Sequence, residues 1–126
     1  MKFALALIAA LAFAAPVAAQ HKHGSDHKGP NGGPVEDIAG VHAELVVSGA
    51  TITLNILDED NKPLKTAGYS GTALVVSGSE RETVALAPSG ESALRGDAKK
   101  TVAKAATITV TLKTSSAKTG QARFKR

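Results

Sequence analysis

Three histidines lie close together near the start of this chain, and they are the residues best suited to bind a metal. His21, His23 and His27 fall in a polar segment rich in glycine. Histidine is the commonest metal ligand, and its imidazole is mostly neutral at pH 7. A flexible segment can bend three imidazoles around one Cu(II), Ni(II) or Zn(II) ion, so this spacing indicates a metal site. The alternative is a solvated tail that binds metal weakly and without function.

His42 and Glu44 form a second candidate site, two residues apart in an alternating segment. Successive side chains of a strand point to opposite faces, so both leave the core face together. The register expected for the hairpin that contains them puts Asn55 opposite Glu44 and Leu57 opposite His42. His42, Glu44 and Asn55 could hold a metal ion or a peptide, and the alternative is ordinary polar surface.

Other chemistries have less support in the sequence. Asp58 to Asn61 has alternate carboxylates, but a calcium loop would need a glycine that is missing here, which favours a solvated turn. The chain has no cysteine and no G-x-S-x-G segment for a serine nucleophile. We therefore expect a protein that is not an enzyme, and a catalytic group around His42 is the remote alternative.

The N-terminal residues indicate where the histidines would act. A positive start is followed by an apolar run from Phe3 to Ala15 and by small residues before Gln20. This layout predicts a signal peptide over residues 1–19 and a periplasmic location, with secretion past the cell as the alternative. The apolar run is shorter than the ~20 residues that span a bilayer, so we expect no membrane insertion after cleavage. Cleavage would leave a new amino group beside His21, where both could chelate Cu(II).

The rest of the chain divides into an arm and one small domain. Residues 20–34 are almost free of apolar side chains, which predicts a flexible His- and Gly-rich arm, and residues 35–126 form the expected domain. The net charge is +4 with interspersed signs, and the aromatic residues beyond residue 19 are Tyr69 and Phe124. A nucleic-acid surface would need clustered basic charge and aromatic platforms, so we expect none.

Alternating apolar residues predict the fold of this domain. Gly49-Ala50 suits a two-residue type II′ turn that joins Val41 to Val47 with Ile52 to Ile56 as a hairpin. The other expected strands are Ala73 to Val76, Thr83 to Leu86, a short edge strand at Ser92 to Arg95, Thr107 to Lys113 and Gln121 to Phe124. About seven short strands predict an all-β fold, a small antiparallel β-sandwich of Ig-like type. The expected core residues are Leu45, Val47, Ile52, Leu54, Ile56, Val84, Ile108, Val110 and Leu112.

Two segments of the domain have a less regular pattern. The pattern does not fix the register of the second hairpin, across Ser77-Gly78-Ser79, because Leu74 and Val84 align only with a longer or bulged turn. Lys99 to Lys104 has the composition of a single helical turn.

Several blocks of the sequence resemble a small β-module of bacterial heavy-metal export. The blocks are Gly32 to Glu36, Gly40 to Val47, Ile56 to Leu64, Ala67 to Gly71 and Ala122 to Phe124. The module occurs in periplasmic adaptor subunits of metal-efflux pumps and in small standalone exported proteins. The resemblance implies metal-efflux or other envelope proteins as partners. Related sequences usually carry a histidine before the paired glycines, where this chain has Asn31.

The sequence thus predicts a non-enzymatic periplasmic protein that binds or handles metal, linked to heavy-metal efflux. The expected ions are Cu, Ni or Zn, because calcium and magnesium prefer oxygen ligands and would not explain the histidines. The expected ligands are His21, His23, His27, His42 and Glu44. The alternative is a structural or protein-interaction module of the cell envelope that docks through its sheet edges without binding metal.

Overall fold

The computed structural model describes residues 27–125, in which eight β-strands occur and no helix. The strands are β1 (Val35–Ile38), β2 (Val41–Ser48), β3 (Thr51–Leu57), β4 (Ser70–Ser77), β5 (Glu80–Ser89), β6 (Ala93–Asp97), β7 (Thr107–Lys113) and β8 (Thr119–Lys125). This part of the chain has no helix of the length and apolarity that crossing a membrane requires. The expected signal peptide lies outside the described residues. The prediction of an all-β antiparallel fold is confirmed.

The strands form one antiparallel sheet that nearly closes into a barrel. Their order is β1-β2-β3-β6-β5-β4-β7-β8. The first part of β5 pairs with β4, and Ala87 to Ser89 pair with β6. A strand that changes its partner in this way bends, which curls the sheet around one core. Where the two ends of the sheet approach each other, a Cβ added to Gly120 of β8 would lie 2.6 Å from the backbone nitrogen of Ala39.

The expected sandwich of about seven strands therefore differs from the structure, which has eight strands in a single sheet. The additional strand is β1, whose four residues include Glu36 and Asp37 and so show little apolar alternation. The segment expected as an edge strand is β6, which lies inside the sheet between β3 and β5. Its short length indicated an edge. β5 precedes it directly and forms a hairpin with it, whereas the pairing on its other side is with β3, which lies about 40 residues earlier in the chain.

The first hairpin has the predicted register. Val47 pairs with Ile52, and Leu45 pairs with Leu54. The turn between them has Gly49 at φ +61°, as the first central residue of a type II′ turn requires. The apolar pattern and the turn chemistry thus specify the same register.

The second hairpin has a register that the sequence pattern left open. It turns on two residues, Gly78 and Ser79, and pairs Ala73 with Val84. Ala73 is buried, and Leu74 lies half-exposed on the outer face. Leu74 does not align with Val84, because the smaller alanine faces the core.

The core lies inside the barrel. Eight of the nine predicted core residues are buried, and Val47 is half-buried near the end of β2. Further buried side chains are Ile38, Leu86, Leu94, Val102 and Phe124. Residues 98–106 form a loop without the expected helical turn, and the Val102 N–H donates to the Gly49 carbonyl at 2.9 Å. This bond joins the loop to the turn between β2 and β3.

Candidate functional site

The carboxylate of Glu44 is the centre of a buried polar cluster on the outer face of β2. Glu44 has 0% exposure. The backbone N–H and the side-chain amide of Asn31 donate to Oε2 at 2.8 Å and to Oε1 at 2.9 Å. The Gly33 N–H donates to Oε2 at 3.0 Å, and Nδ2 of Asn55 reaches Oε1 at 3.4 Å. We name Glu44, Asn31, Gly33 and Asn55 the Glu44 clasp.

The segment from Gly29 to Pro34 positions the donors of the clasp. The Gly32 N–H donates to the Gly29 carbonyl at 2.9 Å, which closes a tight turn around Asn31. A Cβ on Gly29 would collide with the Glu44 carboxyl group, and one on Gly33 would collide with the Leu45 carbonyl oxygen. Glycine is therefore required at both positions for the backbone to approach β2 this closely.

The clasp satisfies a charge that would otherwise be costly to bury. An ionised carboxylate has about four acceptor positions, and four donors approach Glu44 here. Hydrogen bonds to a charged acceptor are stronger than bonds between neutral groups. A metal ion could reach Glu44 only by displacing one of these donors. The arrangement can therefore fasten the N-terminal segment to the barrel.

His42 also lies on the outer face of β2, half-exposed beside β1. Its Nε2 atom is 3.1 Å from Oδ1 of Asp37, its direct partner across the strand pair. Its Nδ1 atom has no hydrogen bond to the described residues, and 31% of its side chain is exposed. Metal-ligating histidines commonly bond a carboxylate through one ring nitrogen and the metal through the other. His42 has the geometry of one such ligand.

The structure brings some of the predicted ligands to one place. His42 and Glu44 share a face with Asn55, as predicted. Between residues 27 and 125, no group of three or more His, Asp or Glu side chains is arranged to hold a metal ion. His21 and His23 lie outside the described residues. The five-residue ligand set stays a prediction.

His27 lies where the arm joins the barrel. Its carbonyl accepts the Val35 N–H at 3.0 Å, and Lys28 forms a bridge with Pro34. Residues 27–34, expected to belong to the flexible arm, are thus bonded to the barrel at β1 and at Glu44.

Two partners of the candidate residues were missed from the sequence. Asp37 faces His42 because Ala39-Gly40 forms a tight turn, with φ of +52° and +83°, that pairs Ile38 with Val41. Glycine before an alternating strand was a signal for this turn. Asn31 reaches Glu44 across a segment without any periodicity, so no sequence signal indicated that contact.

Comparisons with protein-family models, with curated proteins and with solved structures give no match to this chain. The resemblance to the metal-export module stays a prediction.

Proposed function

We propose that this protein is a non-enzymatic periplasmic accessory that binds Cu, Ni or Zn through its N-terminal arm. The observation that supports this proposal is where the arm meets the barrel. His27 is bonded to Val35 at the start of β1, and Asp37, two residues further along β1, pairs with His42. His27 and His42 therefore lie at the same edge of the sheet.

The distances along the chain allow these histidines to share an ion. Four extended residues span roughly 13 Å, so His23 can reach about that far from His27. Neighbouring strands lie about 4.8 Å apart, which puts His42 within that reach. His42 would add one imidazole from the barrel to the ligands that the arm supplies, and the Glu44 clasp would keep the root of the arm in place. Glu44 itself would contribute by anchoring rather than by coordination.

Calorimetry with Cu(II) tests this proposal on the chain that begins at Gln20. The triple variant His21→Ala, His23→Ala, His27→Ala should lose most of the affinity, and His42→Ala should lose less. Binding should weaken below about pH 6, because protons then compete with the metal for imidazole nitrogens. Gln121→Ala, an exposed change on β8, is the control and should bind like the parent.

The outcomes separate this proposal from its alternative. Parental affinity in the triple variant would exclude the arm and leave His42 as the ligand to test. If the parent binds Cu(II) no more tightly than a variant lacking all four histidines, metal handling is excluded. The proposed function would then be a structural or protein-interaction module of the cell envelope.

A further inference from the structure

The place where the sheet fails to close contains a cleft of about 460 Å³. It lies between the end of β2 and the end of β8, with the segment from Lys28 to Pro34 on one side. We name it the seam cleft. Its volume falls within the range of about 300–1,000 Å³ typical of ligand pockets. Buried Leu45 and Phe124 and half-buried Val47 contribute its apolar lining.

The backbone of Val47 faces this cleft. In an antiparallel pair, the N–H and C=O groups of successive residues point alternately to the two sides of the strand. The Leu45 N–H donates to the Pro34 carbonyl at 3.0 Å, on the side of β2 that faces away from β3. Val47 lies two residues further, so its N–H and C=O groups also point away from β3. The pairing between β1 and β2 ends at Val35 and Glu44, so no ladder reaches Val47 on that side.

The backbone of β8 faces the cleft from the opposite side. The Thr114 N–H donates to the Lys118 carbonyl at 2.9 Å, next to the pair formed by β7 and β8. Every second residue of β8 counted from Lys118 therefore directs its N–H and C=O groups toward β7, and Phe124 is one of them. Arg123 and Lys125 direct these groups to the opposite side, away from β7. β8 is the last strand of the sheet in the described chain. Among residues 27–125, no strand pairs with the outward side of β8 or with Val47, the residue of β2 that follows the bond between Leu45 and Pro34 by two positions.

The charge around the cleft indicates what could bind these edges. Lys28, Arg123 and Lys125 are exposed, and Glu36 is the acidic residue among the lining groups. Basic side chains on an edge strand oppose pairing with the same edge of a second copy. They attract an extended chain of opposite charge.

We propose that the seam cleft binds an acidic, extended peptide segment of a partner protein, which pairs with the end of β8 and meets the end of β2 at Val47. Such binding combines main-chain hydrogen bonds with contacts of alternate side chains. Apolar side chains of the peptide would pack on the lining of the cleft, and its acidic side chains would approach Arg123 and Lys125. This inference does not depend on metal binding by the arm.

Amide NMR titration tests the proposal on the chain that begins at Gln20, with EDTA present to exclude metal. The probe is a short peptide of alternating valine and glutamate, blocked at both ends. It should shift the amide resonances of Val47, Arg123 and Lys125, and added salt should weaken its binding. The control peptide, with lysine in place of glutamate, should leave these resonances unchanged.

Two variants separate charge from strand pairing. Arg123→Gln combined with Lys125→Gln should weaken binding about fivefold, as expected for the loss of two exposed ion pairs. Arg123→Pro removes an N–H that faces the cleft, and an edge position tolerates proline. It should bind about fivefold more weakly than Arg123→Gln, which has the same charge, because a hydrogen bond is lost.

Three results would overturn the proposal: no shift at millimolar peptide, shifts confined to another surface, or equal binding of the lysine peptide. If Arg123→Pro unfolds, the double glutamine variant and the salt dependence still decide the matter. Because EDTA is present, failure of the peptide to bind leaves the calorimetric test of the arm unaffected.

Discussion

At the scale of single residues, Glu44 is buried on a face that the strand pattern assigns to solvent. Its side chain points away from the core, as alternation requires, and the segment from Gly29 to Pro34 covers it from outside. Two of its donors are backbone N–H groups, which can donate but cannot accept. Both donate to Oε2, so an acceptor is required at that position, whereas Oε1 meets the side-chain amides of Asn31 and Asn55. The negative charge of the carboxylate strengthens all four bonds.

Glu44→Gln tests what the charge contributes. Glutamine can keep an oxygen at the position of Oε2, but it loses the charge, and its amide nitrogen fits at Oε1 only if the Asn31 and Asn55 amides rotate to present their oxygens. Hydrogen bonds to a neutral acceptor are weaker, so we expect the free energy of unfolding to fall by about 1–2 kcal/mol in urea denaturation. Glu59→Gln, an exposed change in the turn after β3, is the matched control and should cost less than about 0.5 kcal/mol. Equal stability of the two variants would show that the charge of Glu44 contributes nothing to folding.

At the scale of elements, the two hairpins show what alternation alone can determine. The pairing of β2 with β3 was predicted because large apolar residues and a glycine turn agreed on one register. The pairing of β4 with β5 was not, because Ala73 faces the core and the larger Leu74 does not. A pattern of hydrophobicity gives more weight to the larger side chain, and only the neighbouring strands decide which face is inside.

Two leucine substitutions measure this difference in burial. Leu54 has 0% exposure, so Leu54→Ala removes buried apolar surface and leaves a cavity at a cost of about 2–4 kcal/mol. Leu74→Ala makes the same chemical change on the outer face and should cost less than about 1 kcal/mol. Urea denaturation of both variants gives the comparison. A cost for Leu74→Ala equal to that for Leu54→Ala would place Leu74 in the core and contradict the observed register.

At the scale of the whole molecule, the barrel depends on contacts between distant parts of the chain. The approach of Gly120 to Ala39 and the pairings of β3 with β6 and of β4 with β7 join distant segments that share no sequence signal. The sequence therefore predicted most of the strands correctly. It predicted that they form two packed layers, whereas they form one curled sheet. In the candidate site, the shared face of His42 and Glu44 was predictable within one hairpin. Asp37 was missed although Gly40 indicated the turn that brings it to His42, and the contact of Asn31 with Glu44 had no sequence signal.

Truncation from the N-terminus tests how far the barrel includes the root of the arm. Removing residues 20–26 from the chain that begins at Gln20 should leave the melting temperature unchanged, because the segment has almost no apolar surface to bury. Removing residues 20–34 also removes the carbonyl that accepts the Val35 N–H and the Asn31 and Gly33 donors to Glu44. We expect this second deletion to lower the melting temperature by roughly 10 °C, the change for about 2 kcal/mol in a domain of this size. Differential scanning calorimetry of the two truncated chains gives both values. Equal melting temperatures of the two truncated chains would show that the Glu44 clasp does not stabilise the barrel. A large drop in the melting temperature after the shorter deletion would show that the His-rich arm packs on the domain.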